Sequence, residues 1–130
     1  MPMKYVAIVA LLALLQYAYF IVEVGRARGR FGVHAPAVTG NEVFERYFRV
    51  QQNTLELLVV LLPALWLFAL YVSTTWSALL GLVYLVGRML YFMAYVKDPA
   101  KRGPGFGLTM LPILALLVGA LIGALGAGSA

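Results

Sequence analysis

Arg49, Asn53 and Glu56 stand four and three residues apart in the run FERYFRVQQNTLE, Phe44 to Glu56, and Arg46 precedes Arg49 by three. On a helix this spacing puts all four on one face, a stripe about 15 Å long at about 1.5 Å per residue. A second row, Tyr84, Arg88, Tyr91 and Tyr95, is spaced four, three and four and also shares a face. Arg28, Gln51 and Arg102 lie in and beside these segments. Guanidinium forks grip carboxylates, amides both donate and accept, and a lone carboxylate receives an ammonium. The set therefore suits a small ligand carrying several charges, with carboxylates and an amine. A cation beside an ionisable group of that ligand would also favour its anionic form.

The surroundings of these residues are apolar. Of the 130 residues, 63% are hydrophobic and 12% are charged, against about a quarter charged in an ordinary soluble domain. Four apolar stretches, at about 4–24, 42–72, 76–96 and 107–127, each approach the ~20 residues that a helix needs to cross hydrocarbon. The expected fold is all-α, an integral membrane four-helix bundle, with residues 1–130 forming a single transmembrane domain. The first stretch follows Lys4 as a secretory signal would, but runs past Gln16 to Val24 with no small-residue cleavage site, so a retained helix is expected. The short link Ser73 to Thr75 makes the second and third helices antiparallel.

Both polar rows thus run into lipid, where ionisable side chains cost several kcal/mol unless they are paired or hydrated. Arg88, two turns inside its span, needs an anion, and Glu56 is the acid at comparable depth on the neighbouring helix. A structural ion network would explain that pair, but the full stripe offers more donors than a lock requires. Pro63 is expected to kink the second helix. Gly119 and Gly123 allow close helix approach, for packing or oligomer contact.

The absence of cysteine excludes disulfides and thiol nucleophiles, and the single histidine, His34, leaves little for metals. No metal site is expected, and His34 reads as an ordinary loop residue. Arg26, Arg28, Arg30, Arg46, Arg49, Arg88, Lys97, Lys101 and Arg102 all lie in or near the two links that join helices one to two and three to four. By the positive-inside rule both links face the cytoplasm, with the termini and the Ser73 link opposite. The net charge of +5 is accounted for by orientation and anionic headgroups, not by nucleic acid.

Glutathione meets the ligand description: two carboxylates, one amine and a thiol. Its thiol, with a pKa of about 8.5, reacts as the thiolate, and each unit of lowering requires about 1.4 kcal/mol. The segments FERYFRVQQNTLE and GLVYLVGRMLYFMAY, with the small-residue turn before the second helix, resemble the membrane-associated proteins of eicosanoid and glutathione metabolism, the MAPEG family. The likeness runs from about Arg26 to Arg102 and is nearest to the branch of leukotriene C4 synthase and the second microsomal glutathione transferase. It implies a homotrimer that binds glutathione between adjacent protomers. It also implies a glutathione transferase, with peroxidase activity in the same site, and an acceptor, a hydrophobic electrophile or lipid hydroperoxide, arriving from the bilayer.

Carried over by position, Arg28, Arg49, Gln51, Asn53, Glu56, Tyr91 and Tyr95 hold glutathione, Arg88 supports them, and Arg102 is the catalytic arginine that stabilises the thiolate. Leu57 stands where that branch has a tyrosine, and Gly29 follows Arg28 where it has paired arginines. Arg102 is placed by an ungapped count from Tyr95. The same fold also serves non-enzymatic lipid-binding scaffolds, and the buried charges would suit a small channel. Which of Arg28 and Arg30 meets the ligand is left open.

Overall fold

A computed structural model describes residues 2–127 of the chain; residues 1 and 128–130 of the expected domain lie outside it. Four helices succeed one another: α1, Met3–Phe31; α2, Glu42–Tyr71; α3, Thr74–Lys97; and α4, Gly103–Gly126, with a 3-10 turn at Pro99–Lys101 before α4. All four are long and apolar enough to cross a membrane.

Local chemistry sets the ends. Asn41 caps α2, its Oδ1 accepting the Phe44 N–H at 2.9 Å, and Ser73 caps α3, its Oγ accepting from the Trp76 N–H at 3.1 Å. Pro104 occupies the first turn of α4, where its missing N–H costs nothing. α1 ends at Gly32, which takes the left-handed conformation at φ 68°. The N–H groups of Gly32 and Val33 both turn back onto the Arg28 carbonyl. The expectation that α1 stops near Val24 is corrected. The run RARGRF is helical, so Arg26, Arg28 and Arg30 stand on the last turns of a helix and not in a link. Cations there complement the helix dipole, and Ala27 packs fully buried in a cluster with Val24, Val33 and Phe44.

The α2–α3 pair is antiparallel. Ser77 Oγ donates to the Leu65 carbonyl at 2.7 Å near the link, and Arg88 reaches Thr54 at the far end. α2 runs unbroken through Pro63. The middle of the bundle is filled by residues such as Val9, Leu61, Leu65, Tyr84, Ile113 and Leu116. The outer surface is apolar too, with Leu15, Val59, Leu111 and Leu125 exposed. Water would penalise such a surface, whereas lipid tails solvate it.

Tight helix contacts occur where glycine removes the side chain. A Cβ on Gly119 would lie 2.5 Å from the Phe68 ring, and one on Gly123 would lie 2.8 Å from Val72 Cγ2. Both expected small-residue positions therefore pack α4 against α2. Gly105 sets α4 against the backbone of Tyr91 on α3, where a Cβ would meet the Tyr91 Cα at 2.6 Å. Backbone cannot swing aside as a side chain can. Gly105→Ala should therefore lower stability in detergent by about 1–3 kcal/mol, read as a fall in melting temperature. Gly107→Ala, with nothing within 4 Å of its Cβ, should leave it unchanged or raised. Equal effects from the two would contradict the packing described.

Candidate functional site

At the end of the bundle where α1 and α3 finish and α2 and α4 begin, a cavity of about 430 Å³ opens between α2, α3 and α4. α2 lines it with Phe48, Arg49, Gln52, Asn53 and Glu56, α3 with Tyr91 and Tyr95, and the start of α4 with Arg102 and Phe106. The two sequence rows thus become facing walls. Helical spacing alone aligns the α2 residues, and the antiparallel hairpin brings the tyrosines opposite them.

Arg88 lies beneath this cavity, fully buried. Its partner is not Glu56, which is exposed on the open side of the stripe. Arg88 Nε donates to Thr54 Oγ1 at 2.8 Å and its Nη2 donates to Asn53 Oδ1 at 3.1 Å. The guanidinium also lies over the Tyr91 ring, 4.3 Å from its centroid. Thr54 can accept because its own proton goes to the Val50 carbonyl at 2.7 Å. The expected Arg88–Glu56 pair fails because matching charge in sequence says nothing of axial offset; the hairpin register brings Thr54, not Glu56, level with Arg88.

This network fixes the polarity of the wall. Arginine has no acceptor, so the Asn53 atom facing it is the oxygen, and the Asn53 N–H groups are left for the cavity. Tyr91 and Tyr95 stack at 5.4 Å with an angle of 9° between their planes. Arg102 closes the 3-10 turn and opens α4. Around the cavity, Arg49, Arg102 and the underlying Arg88 outnumber the single carboxylate of Glu56. Such a site favours an anion bearing one ammonium.

Six of the expected site residues therefore line one cavity: Arg49, Asn53, Glu56, Tyr91, Tyr95 and Arg102. Arg28 and Gln51 lie elsewhere in the chain. Arg28 Nη1 donates to the carbonyls of Ala37 at 2.6 Å and Val33 at 3.5 Å, with its guanidinium over the Phe44 ring. Gln51 Nε2 donates to the Tyr17 hydroxyl at 3.1 Å, towards α1. Arg30 lies over the rings of Phe31 and Tyr47. Sequence reasoning missed Gln52, Phe48, Phe106 and Thr54. Gln52 had a signal, since it stands three residues after Arg49 and four before Glu56 on the same helix face, whereas the two phenylalanines look like any apolar residue of a span. Thr54 had a signal, a hydroxyl within a span next to Asn53.

Comparison with known proteins agrees with these observations. Microsomal glutathione S-transferase 2 of Homo sapiens is 46% identical over 120 residues, covering 92% of this chain and 80% of that protein. Leukotriene C4 synthase of Bos taurus is 40% identical over 96 residues, 74% of this chain and 64% of that protein. An uncharacterised protein of Synechocystis is 50% identical over 116 residues, 89% of this chain and 85% of that protein. The model of the MAPEG family matches residues 6–122. With four spans and a polar cavity at one end of the bundle, the chain is an integral membrane protein and belongs to the MAPEG family.

Proposed function

We propose that this protein is a glutathione transferase that also reduces lipid hydroperoxides. The observation that carries the proposal is the meeting of Arg49, Asn53, Glu56, Tyr91, Tyr95 and Arg102 around one cavity. Relatives named as a glutathione S-transferase and as leukotriene C4 synthase support it. Glutathione then binds with a carboxylate on Arg49, its ammonium on Glu56 and an acceptor oxygen on the Asn53 amide. Arg102 faces the thiol. Lowering a thiol pKa by two units requires about 2.7 kcal/mol of differential stabilisation, within the range of a charge-assisted contact in a poorly hydrated site.

The thiolate attacks an electrophilic carbon, forming a C–S bond as the leaving group departs with the electron pair. With a hydroperoxide it attacks the terminal oxygen, the O–O bond breaks and the alcohol leaves. A second glutathione then reduces the sulfenic product to water and glutathione disulfide. Phe48 and Phe106, on the cavity wall, suit a hydrophobic acceptor delivered by the bilayer. Arg28 and Gln51, which do not line their own chain's cavity, would complete a neighbour's site in a homotrimer. The basic residues gather at the cavity end of the bundle, which would place that end in the cytoplasm.

Calorimetry and steady-state kinetics test the assignment. Wild type should bind glutathione, conjugate hydrophobic electrophiles and reduce an organic hydroperoxide. Arg102→Ala should keep glutathione affinity within about threefold while kcat falls roughly 100-fold. Undiminished turnover would show that the thiolate is stabilised elsewhere, and binding without turnover in wild type would identify a non-enzymatic scaffold. Arg49→Ala and Glu56→Gln should each weaken glutathione binding by about 10- to 100-fold, since each removes a charge-assisted hydrogen bond. Unchanged affinity in both would contradict the ligand's placement.

A further inference from the structure

The last four carbonyls of a helix have no partner within it and carry the negative end of its dipole. In α3 these belong to Ala94, Tyr95, Val96 and Lys97. The Asp98 N–H satisfies Ala94 at 2.8 Å. Val96 and Lys97 are satisfied from another helix: Arg46 Nη1 donates to both, at 3.3 and 3.2 Å. Arg46 belongs to α2, one turn before Arg49. Its Nη2 lies 3.5 Å from Glu42 Oε1, one turn back, and the arginine side chain is 21% exposed against 88% for its acid. A headgroup anchor would turn its guanidinium outward. Arg46 instead covers its charge against the end of α3.

The turn between α3 and α4 is stiff. Asp98 Oδ1 accepts the Ala100 N–H at 3.1 Å, and the Asp98 carbonyl accepts from Lys101 at 2.9 Å. The Pro99 carbonyl accepts from the Arg102 N–H at 3.4 Å, and Pro99 fixes its own φ. Only Asp98 to Lys101 separate the α3 terminus from Arg102. The position of Val96 and Lys97 therefore passes directly to Arg102.

We propose that Arg46 is a positioning residue for the reaction. By tying the last carbonyls of α3 to α2, it holds Arg102 in register with Arg49, Asn53 and Glu56, which sit on the same α2. This role rests on the transferase reading of the cavity. Without Arg46 the α2 wall still holds glutathione, but Arg102 no longer meets the thiol. Binding and chemistry should then separate.

The test uses the full chain in detergent with glutathione as ligand. It reads KM and kcat, the ultraviolet absorbance of bound thiolate against pH, and the melting temperature. In Arg46→Ala, kcat should fall roughly 10- to 100-fold, the scale of a small misplacement of a reacting group. KM for glutathione should stay within about threefold, and thiolate should form only at higher pH than in wild type. Arg46→Lys, which keeps a cation at the carbonyls, should recover part of both losses and serves if the alanine variant does not fold. Glu42→Ala leaves the carbonyl contacts in place and should behave as wild type. Adding Arg46→Ala to Arg102→Ala should cost nothing further. A parallel loss of affinity, turnover and melting temperature with an unmoved thiolate titration would overturn the inference and leave Arg46 a fold element. If Arg102→Ala is inactive while Arg46→Ala and Arg46→Lys match wild type, this inference alone fails. If Arg102→Ala keeps full turnover, the assignment of Arg102 fails and takes this inference with it.

Discussion

A fully buried guanidinium, that of Arg88, is held by two neutral oxygens and one aromatic ring. Taking a charge out of water costs several kcal/mol even after relaxation, and arginine cannot shed its proton to escape the cost. The bundle offsets it by engaging Thr54 and Asn53 on the facing helix and by laying the cation over Tyr91. Each of these contacts also shapes the cavity above. Asn53 must present its N–H groups to the cavity, Tyr91 keeps its place beside Tyr95, and among the described residues no carboxylate pairs with the buried charge. With Arg49 and Arg102 on its walls, the cavity above this arrangement carries an excess of positive charge.

The close helix contacts serve the same geometry. Gly105 lets α4 lie on the backbone of Tyr91, so the helix that begins after Arg102 is seated directly on the helix that carries the tyrosines. Along the other half of the bundle, Gly119 and Gly123 bring α4 against α2. Between them these contacts fix both ends of α4. The site is thus built on helices and on one short turn braced by hydrogen bonds to Asp98 and to the Pro99 carbonyl.

The sequence was most legible where one element sets the geometry. Spacings of three and four place Arg49, Asn53 and Glu56 on one face whatever the tertiary fold, and a short link makes the hairpin antiparallel. It was less legible where two elements meet. Charge matching joined Arg88 to Glu56, but the axial offset between α2 and α3 joined it to Thr54 and Asn53. Gln52, three residues after Arg49 and four before Glu56, shares their helix face and lines the cavity, whereas Gln51 is named by its position in the family and turns towards α1. The end of α1 was misjudged for a related reason. The apolar stretch ends at Val24 and a basic run follows it, whereas the burial of Ala27 beside Phe44 keeps the chain helical until Gly32 turns it. The sequence carried the polarity of each wall, and tertiary contacts decided which atom faces which.

Where a bound glutathione puts its atoms decides whether the cavity is a thiol-activating site. A structure of the full-length protein with glutathione, in detergent or lipid nanodisc, measures that directly. The expected result has the ammonium at Glu56, an acceptor oxygen at the Asn53 amide and the sulfur in contact with the Arg102 guanidinium. A ligand lodged away from the α2 stripe, or one whose sulfur points away from Arg102 with Arg102 turned to solvent, would contradict it.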